Sequence, residues 1–165
     1  MDWVVFGVQW LHILLGILWF GNALVIAFII IPVISRLPIT TQREFGSHLG
    51  ARADRLFMVV GPAVIILGII RGTIFGPIKS ADVLFGSAYG ITWLVALVAA
   101  IVTFIWGKYM IGGAVKAMDA VPLGPDGTGG PALVAAADRV KLIATLELVG
   151  FVVVFTCMIL MRFGL

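Results

Sequence analysis

The amino-acid sequence predicts an all-α integral membrane protein: a four-helix transmembrane bundle with a short amphipathic helix between its first and second spans. Three observations carry this. The 165 residues are 62% hydrophobic and only 12% charged, whereas a soluble domain carries about 25% charge. Four apolar runs reach the ~20 residues that a helix needs to cross a bilayer. Lysine and arginine gather in two of the three connections between those runs, the asymmetry that orients multi-pass proteins.

The first span is expected from Trp3 to about Ile31, with Pro32 near its end. Met1-Asp2 runs straight into apolar residues without a basic leader, so a cleaved signal peptide is not expected. The connection Ser35 to Arg55 carries Arg36, Arg43, Arg52 and Arg55 with Glu44 and Asp54. Thr40 or Thr41 is placed to cap a short amphipathic helix leading into the second span. That span is expected from about Leu56 to Phe75, and a short link, Gly76 to Gly86, follows it. The third span is expected from about Ala88 to Ile111. The stretch VPLGPDGTGGP, Val121 to Pro131, is dense in Gly and Pro and reads as a flexible loop. The fourth span is expected from about Lys141 to Met161. The apolar stretches around the first and third spans exceed one perpendicular crossing, so these helices should tilt or project. No soluble domain and no long repeat interrupts residues 1–165, which form one transmembrane domain.

Arg36, Arg43, Arg52, Arg55, Lys108, Lys116, Arg139 and Lys141 fall on the side of the first and third connections, against Arg71, Lys79 and Arg162 on the other. This bias predicts cytoplasmic long connections and both termini outside. The basic residues flank apolar runs and form no patch, which argues against a nucleic-acid partner. A single cysteine, Cys157, excludes an internal disulfide and a cysteine-based metal cluster.

Among residues that could carry chemistry, His12 stands out. It lies in WLHILLGILWFGN, and an imidazole taken from water without a partner costs a few kcal/mol. Helical spacing puts His12, Gly16, Trp19, Phe20 and Ala23 on one face. Gly16 leaves room there for a flat ligand and the two aromatics would wall it, an arrangement suited to axial ligation of haem. A hydrogen bond to a neighbouring helix, or proton transfer, would also explain the histidine. His48, in GSHLG, reads as a solvated surface residue, at a different depth from His12.

Glu147 is an isolated carboxylate in the fourth span, and an ionised carboxylate there needs a cation. Lys108, near the end of the third span, is the candidate partner, and Asn22 on the first helix could join them. Helix locking and a polar path both fit such a group. Arg71, toward the far end of the second span, could pair with a haem propionate or a lipid phosphate, or anchor at the interface. Gly61, Gly68, Gly72 and Gly76 make a small-residue face on the second helix, repeated more weakly by Gly86 and Gly90. Such faces let helices approach closely, within the bundle or across a dimer. Cys157, Met158 and Met161 are the only clustered soft ligands for copper, and thioethers near a helix end more often pack. No phosphate loop, nucleophile elbow or HExxH site is present.

The segment HILLGILWFGNAL, with His12, Trp19 and Gly21 in an H-x6-W-x-G pattern, resembles the first helix of a superfamily of small bacterial membrane proteins. That group includes the membrane domain of copper-resistance protein D and the HemJ-type protoporphyrinogen oxidases. GPAVIILGIIRG and YGITWLVALVAAIVTFIWGK look like its second and third helices, and an uncharacterised four-span family within it fits the length best. The resemblance implies a haem-binding bundle of the bacterial inner membrane, with His12 as the ligating histidine. The lysine that HemJ-type enzymes carry soon after a third-helix tryptophan is absent, since Leu94, Val95 and Ala96 follow Trp93.

The leading expectation is therefore a b-type haem protein, a homodimer joined through glycine-rich faces, with His12 as axial ligand and Gly16, Trp19 and Arg71 around the cofactor. It would move electrons, act on a porphyrin or bind a diatomic gas; if an enzyme, it is an oxidoreductase acting through haem. The alternative is an ion, proton or copper transporter subunit using Glu147 and Lys108, or an accessory subunit whose polar residues lock helices.

Overall fold

A computed structural model describes residues 2–124 and 129–165. They form five helices: α1 (Trp3–Ile34), α2 (Ile39–Thr73), α3 (Ala81–Gly86), α4 (Ala88–Asp119) and α5 (Gly130–Arg162). No strand occurs among the described residues. All but α3 are long and apolar enough to cross a membrane, and the chain is a multi-pass membrane protein. Its exterior says the same. Trp3, Phe28 and Val59 are about 70% exposed, and large apolar side chains cover the outside of every span, which only lipid can solvate.

Every long helix outruns its sequence expectation, each for a local reason. Asp2 caps α1, its carboxylate accepting from the amides of Val4 and Val5. Pro32 lies inside α1, because a π-helical turn at Ile26–Ile30 precedes it and the turn absorbs the donor that proline lacks. The amphipathic segment after Pro38 is continuous with the second span. Neither Thr40 nor Thr41 caps it; Pro38 starts the helix without a side-chain cap, and no glycine or proline interrupts ARADRLF to end it. A second π-helical turn, Gly107–Ile111, carries α4 past its expected end to Asp119. The last helix begins at Gly130, whose φ of +56° glycine tolerates, well before Lys141. Pro125 to Thr128, in the Gly/Pro-rich stretch, lie outside the described residues. The link Gly76–Gly86 gains the short α3, capped by Ser80.

The helices pair as α1 with α2 and α4 with α5. On the α4–α5 seam Ala96, Ala100 and Thr103 are buried, and the Thr103 hydroxyl fills the space beside Gly150. Trp106 Nε1 donates to the Ile143 carbonyl at 3.0 Å. Small residues set the approach distance, as expected where lipid is as apolar as the core.

The two pairs meet at mid-depth in an aromatic cluster. Trp19 is 6% exposed and packs edge-on against Phe104 (centroids 6.1 Å) and Phe151 (5.0 Å), while Phe20 stacks on Phe151 at 5.3 Å. Each such pair contributes ~0.5–1.5 kcal/mol beyond area burial. Phe104 reaches this cluster because Gly61 on α2 has no Cβ; one there would lie 2.5 Å from the ring. The glycine face of α2 is thus used inside the chain. Gly61 receives Phe104, Gly68 receives His12 and Gly72 receives the Trp93 indole, while Gly76 sits in the turn after α2.

Candidate functional site

On the side of the termini, His12 is buried and its Nδ1 lies 3.0 Å from the Val64 carbonyl oxygen on α2. A carbonyl only accepts, so Nδ1 carries the hydrogen and Nε2 of the neutral ring keeps its lone pair. A Cβ on Gly68 would lie 3.1 Å from His12 Cε1, so the glycine makes room for the imidazole. Close by, Trp93 Nε1 approaches the Gly68 carbonyl at 3.4 Å. One turn nearer the termini, Arg71 Nε donates to Gln9 Oε1 at 2.8 Å and Nη1 to the Phe75 carbonyl at 3.0 Å. No carboxylate pairs with Arg71 among the described residues. On the face beneath His12, Trp19 and Phe20 belong to the aromatic cluster, while Gly16 has open space beside it with nothing within 4 Å.

On the opposite side the helix pairs diverge around an open cavity of roughly 1440 Å³. Its wall is mostly apolar, with Ala23, Ala27 and Ile30 from α1 and Ala144 and Leu148 from α5. Trp19, Phe104 and Phe151 close its deep end. Both π-helical turns border it, through Ile26, Ala27 and Ile30 and through Gly107, Lys108, Tyr109 and Ile111. Such turns recur at functional sites because the widened turn displaces the residues after it.

Glu147 lies in this wall, one turn from Phe151 on α5, and also lines a smaller cavity of about 180 Å³ beside Thr103 and Trp106. Its carboxylate rests against the backbone of Gly107, in space that any side chain at that position would take. It makes no hydrogen bond and no ion pair among the described residues.

The expected Lys108–Glu147 pair is not formed. Lys108 Nζ instead bonds both carboxylate oxygens of Asp54 on α2, at 2.9 and 3.1 Å. Asn22 joins neither group, because it falls outside the cavity wall and its side chain makes no hydrogen bond among the described residues. The other cations at the cavity do not reach Glu147. Lys141 pairs with Asp138 at 3.1 Å. Lys116 is exposed nine residues beyond Gly107, about 13 Å along the helix at 1.5 Å per residue.

Arg43 holds the open side together, its Nη2 reaching the Met118 and Val121 carbonyls at the end of α4. His48 is exposed on α2, as expected of a surface residue. Cys157 is buried while neighbouring Met158 is exposed, so the sulfurs do not converge, and no group of three metal-ligating side chains occurs among the described residues. Asp54 and Trp93 escape the sequence reading. Their partners lie 54 and 25 residues away, and Gly72, which makes room for the Trp93 indole, hints at Trp93 alone.

No family model, curated protein or solved structure matches this chain.

Proposed function

We propose that the protein is a membrane carrier, or the ligand-binding subunit of one, whose working site is the Glu147 cavity and whose cargo is positively charged. The observation that carries this reading is a carboxylate inside a span, facing a cavity, with no ion pair among the described residues. An ionised acidic group at such depth costs about 2.5–3.5 kcal/mol on insertion scales. A proton or an incoming cation are the two partners that relieve it. Lys108, which follows the glycine that Glu147 rests against, is held away by Asp54, which keeps the carboxylate open to cargo. The aromatic cluster ends the cavity at mid-depth, which suits a one-sided carrier state better than a continuous pore. Positive-inside counting supports a cytoplasmic cavity mouth, and the first-helix resemblance supports a bacterial inner membrane.

The test is cation flux in proteoliposomes with a trapped pH indicator and an imposed potential. The wild-type protein should conduct protons above empty liposomes, and Glu147→Gln should lower that flux about tenfold. Equal flux in the two proteins would end this reading.

One observation favours haem ligation by His12 as a second reading. Nδ1 donates to a backbone carbonyl and leaves the Nε2 lone pair available, the outer-shell arrangement that orients metal-ligating histidines. Bound haem would supply one-electron chemistry, with the Arg71 guanidinium as the nearby cation for a propionate. The donor fits; Trp19 and Phe20 are taken up by the aromatic cluster, and the open flank on the His12 face is at Gly16. Protein expressed with haem supplied should show a Soret band that His12→Ala removes; a negative pyridine haemochrome assay rules the cofactor out.

A further inference from the structure

We infer that the cavity takes an amphipathic organic monocation, an ammonium or phosphonium centre carried on an apolar or aromatic body, with Glu147 as its counter-ion. This rests on the carrier reading above and goes further by naming the cargo. Four features of the cavity select the class.

Charge comes first. Three carboxylates and three lysines border the space, and two ion pairs, Lys108–Asp54 and Lys141–Asp138, form among them. Lys116 is exposed, so among the described residues Glu147 is the one carboxylate of the cavity wall without an ion pair and offers a single negative site. Coordination comes second. Ca²⁺ takes six to eight oxygen ligands, and Glu147 belongs to no group of three metal-ligating side chains among the described residues. A hard divalent ion is poorly served there. Size comes third. A volume of roughly 1440 Å³ is far more than a bare or hydrated inorganic ion needs and accommodates a drug-sized molecule. The lining is the fourth. Apolar residues of α1 and α5 form the wall and three aromatic rings close the end one turn from the carboxylate. Rings near a desolvated cation attract it through their quadrupoles, and apolar walls reward an apolar body.

Lys108 is placed to control this site. Its Cα adjoins Gly107, against which the Glu147 carboxylate rests, yet its ammonium is tied to Asp54 across the cavity. Asp54 therefore acts as a positioning residue that withholds an internal competitor for Glu147.

The experiment is equilibrium binding of radiolabelled tetraphenylphosphonium to the full-length protein in nanodiscs, with tetraphenylborate as the anion of the same shape. One saturable phosphonium site per chain is expected, with no matching borate site. Glu147→Gln should weaken phosphonium binding about tenfold. Asp54→Asn should weaken it as well, by freeing Lys108 to occupy Glu147, and Asp54→Asn/Lys108→Met should restore it. A structural role for Asp54 would not give that rescue. Nanodiscs of phosphatidylglycerol alone, compared with discs containing phosphatidylethanolamine, separate a free cation from a lipid amine as the natural occupant. Competition by the amine lipid identifies the lipid source; none leaves the free cation.

Equal binding of cation and anion by the wild-type protein overturns the inference without recourse to any variant. So does unchanged binding in monodisperse Glu147→Gln. If phosphonium fails to bind while Glu147-dependent proton flux persists, the cargo class is wrong and the carrier reading stands. Loss of both removes the two together.

Discussion

Lys108 on α4 bonds both oxygens of Asp54 on α2, at 2.9 and 3.1 Å, although Glu147 lies against the residue just before it. The pair is half exposed, with side-chain exposures of 33% for the lysine and 56% for the aspartate. Its effect on stability and its effect on the site therefore separate. An exposed ion pair contributes ~0–1 kcal/mol, so Lys108→Met should leave the melting temperature within a few degrees of wild type. A large loss of stability in thermal unfolding would show that the pair locks the helices instead of positioning a charge.

The α2 glycines should rank by the stiffness of what they face. At Gly72 a Cβ would fall on the Trp93 indole, and at Gly68 it would lie 3.1 Å from the His12 ring. Moving an indole wedged between helices is harder than shifting an imidazole by a few tenths of an ångström. Gly72→Ala should thus cost about 1–3 kcal/mol, the range for overpacking, and Gly68→Ala less. The order of melting temperatures checks this, and the reverse order would count against the packing described.

Replacing Trp19 by alanine should cost ~3–5 kcal/mol, the usual range for a buried aromatic. It should also connect the cavity to the half of the bundle that holds His12. Thermal unfolding reads the first effect. The second appears as higher proton leak in proteoliposomes, since Trp19, Phe104 and Phe151 form the plug. Unchanged leak would place the barrier elsewhere.

His12→Ala removes the Nδ1–Val64 hydrogen bond and empties the space over Gly68. A loss of about 1–3 kcal/mol is expected from the bond and the packing together. Phosphonium binding should not change, because His12 lies beyond the aromatic plug from Glu147. A variant that melts early but binds normally fits this division of the bundle into two halves.

The four spans are legible in the sequence because membrane insertion is set by composition over ~20 residues, a local property. Helix ends are less so. Nothing in the composition of the residues around 26–30 or 107–111 announces a π-helical turn, and these turns extend α1 and α4. His12 and Glu147 are legible as exceptions, since a polar group in a span must meet something. What each meets is not. The Val64 carbonyl, Asp54 and Trp93 are chosen by how the helices dock, and helix spacing along one element cannot show that. The glycines give a partial signal: Gly61, Gly68 and Gly72 mark close approach, but only the docked structure shows that side chains, not helix backbones, fill the space.

The most direct measurement is covalent labelling of the membrane-embedded protein with dicyclohexylcarbodiimide, an apolar reagent for carboxyl groups, followed by peptide mapping of the adduct. A carboxylate that has no ion pair among the described residues and faces an apolar cavity should be modified in preference to the seven other acidic side chains of the chain. Selective labelling at Glu147, suppressed when tetraphenylphosphonium is present, is the predicted result. An unlabelled Glu147 alongside modified Asp54 or Asp138 would mean that the carboxylate is closed off or already paired, and would contradict the site.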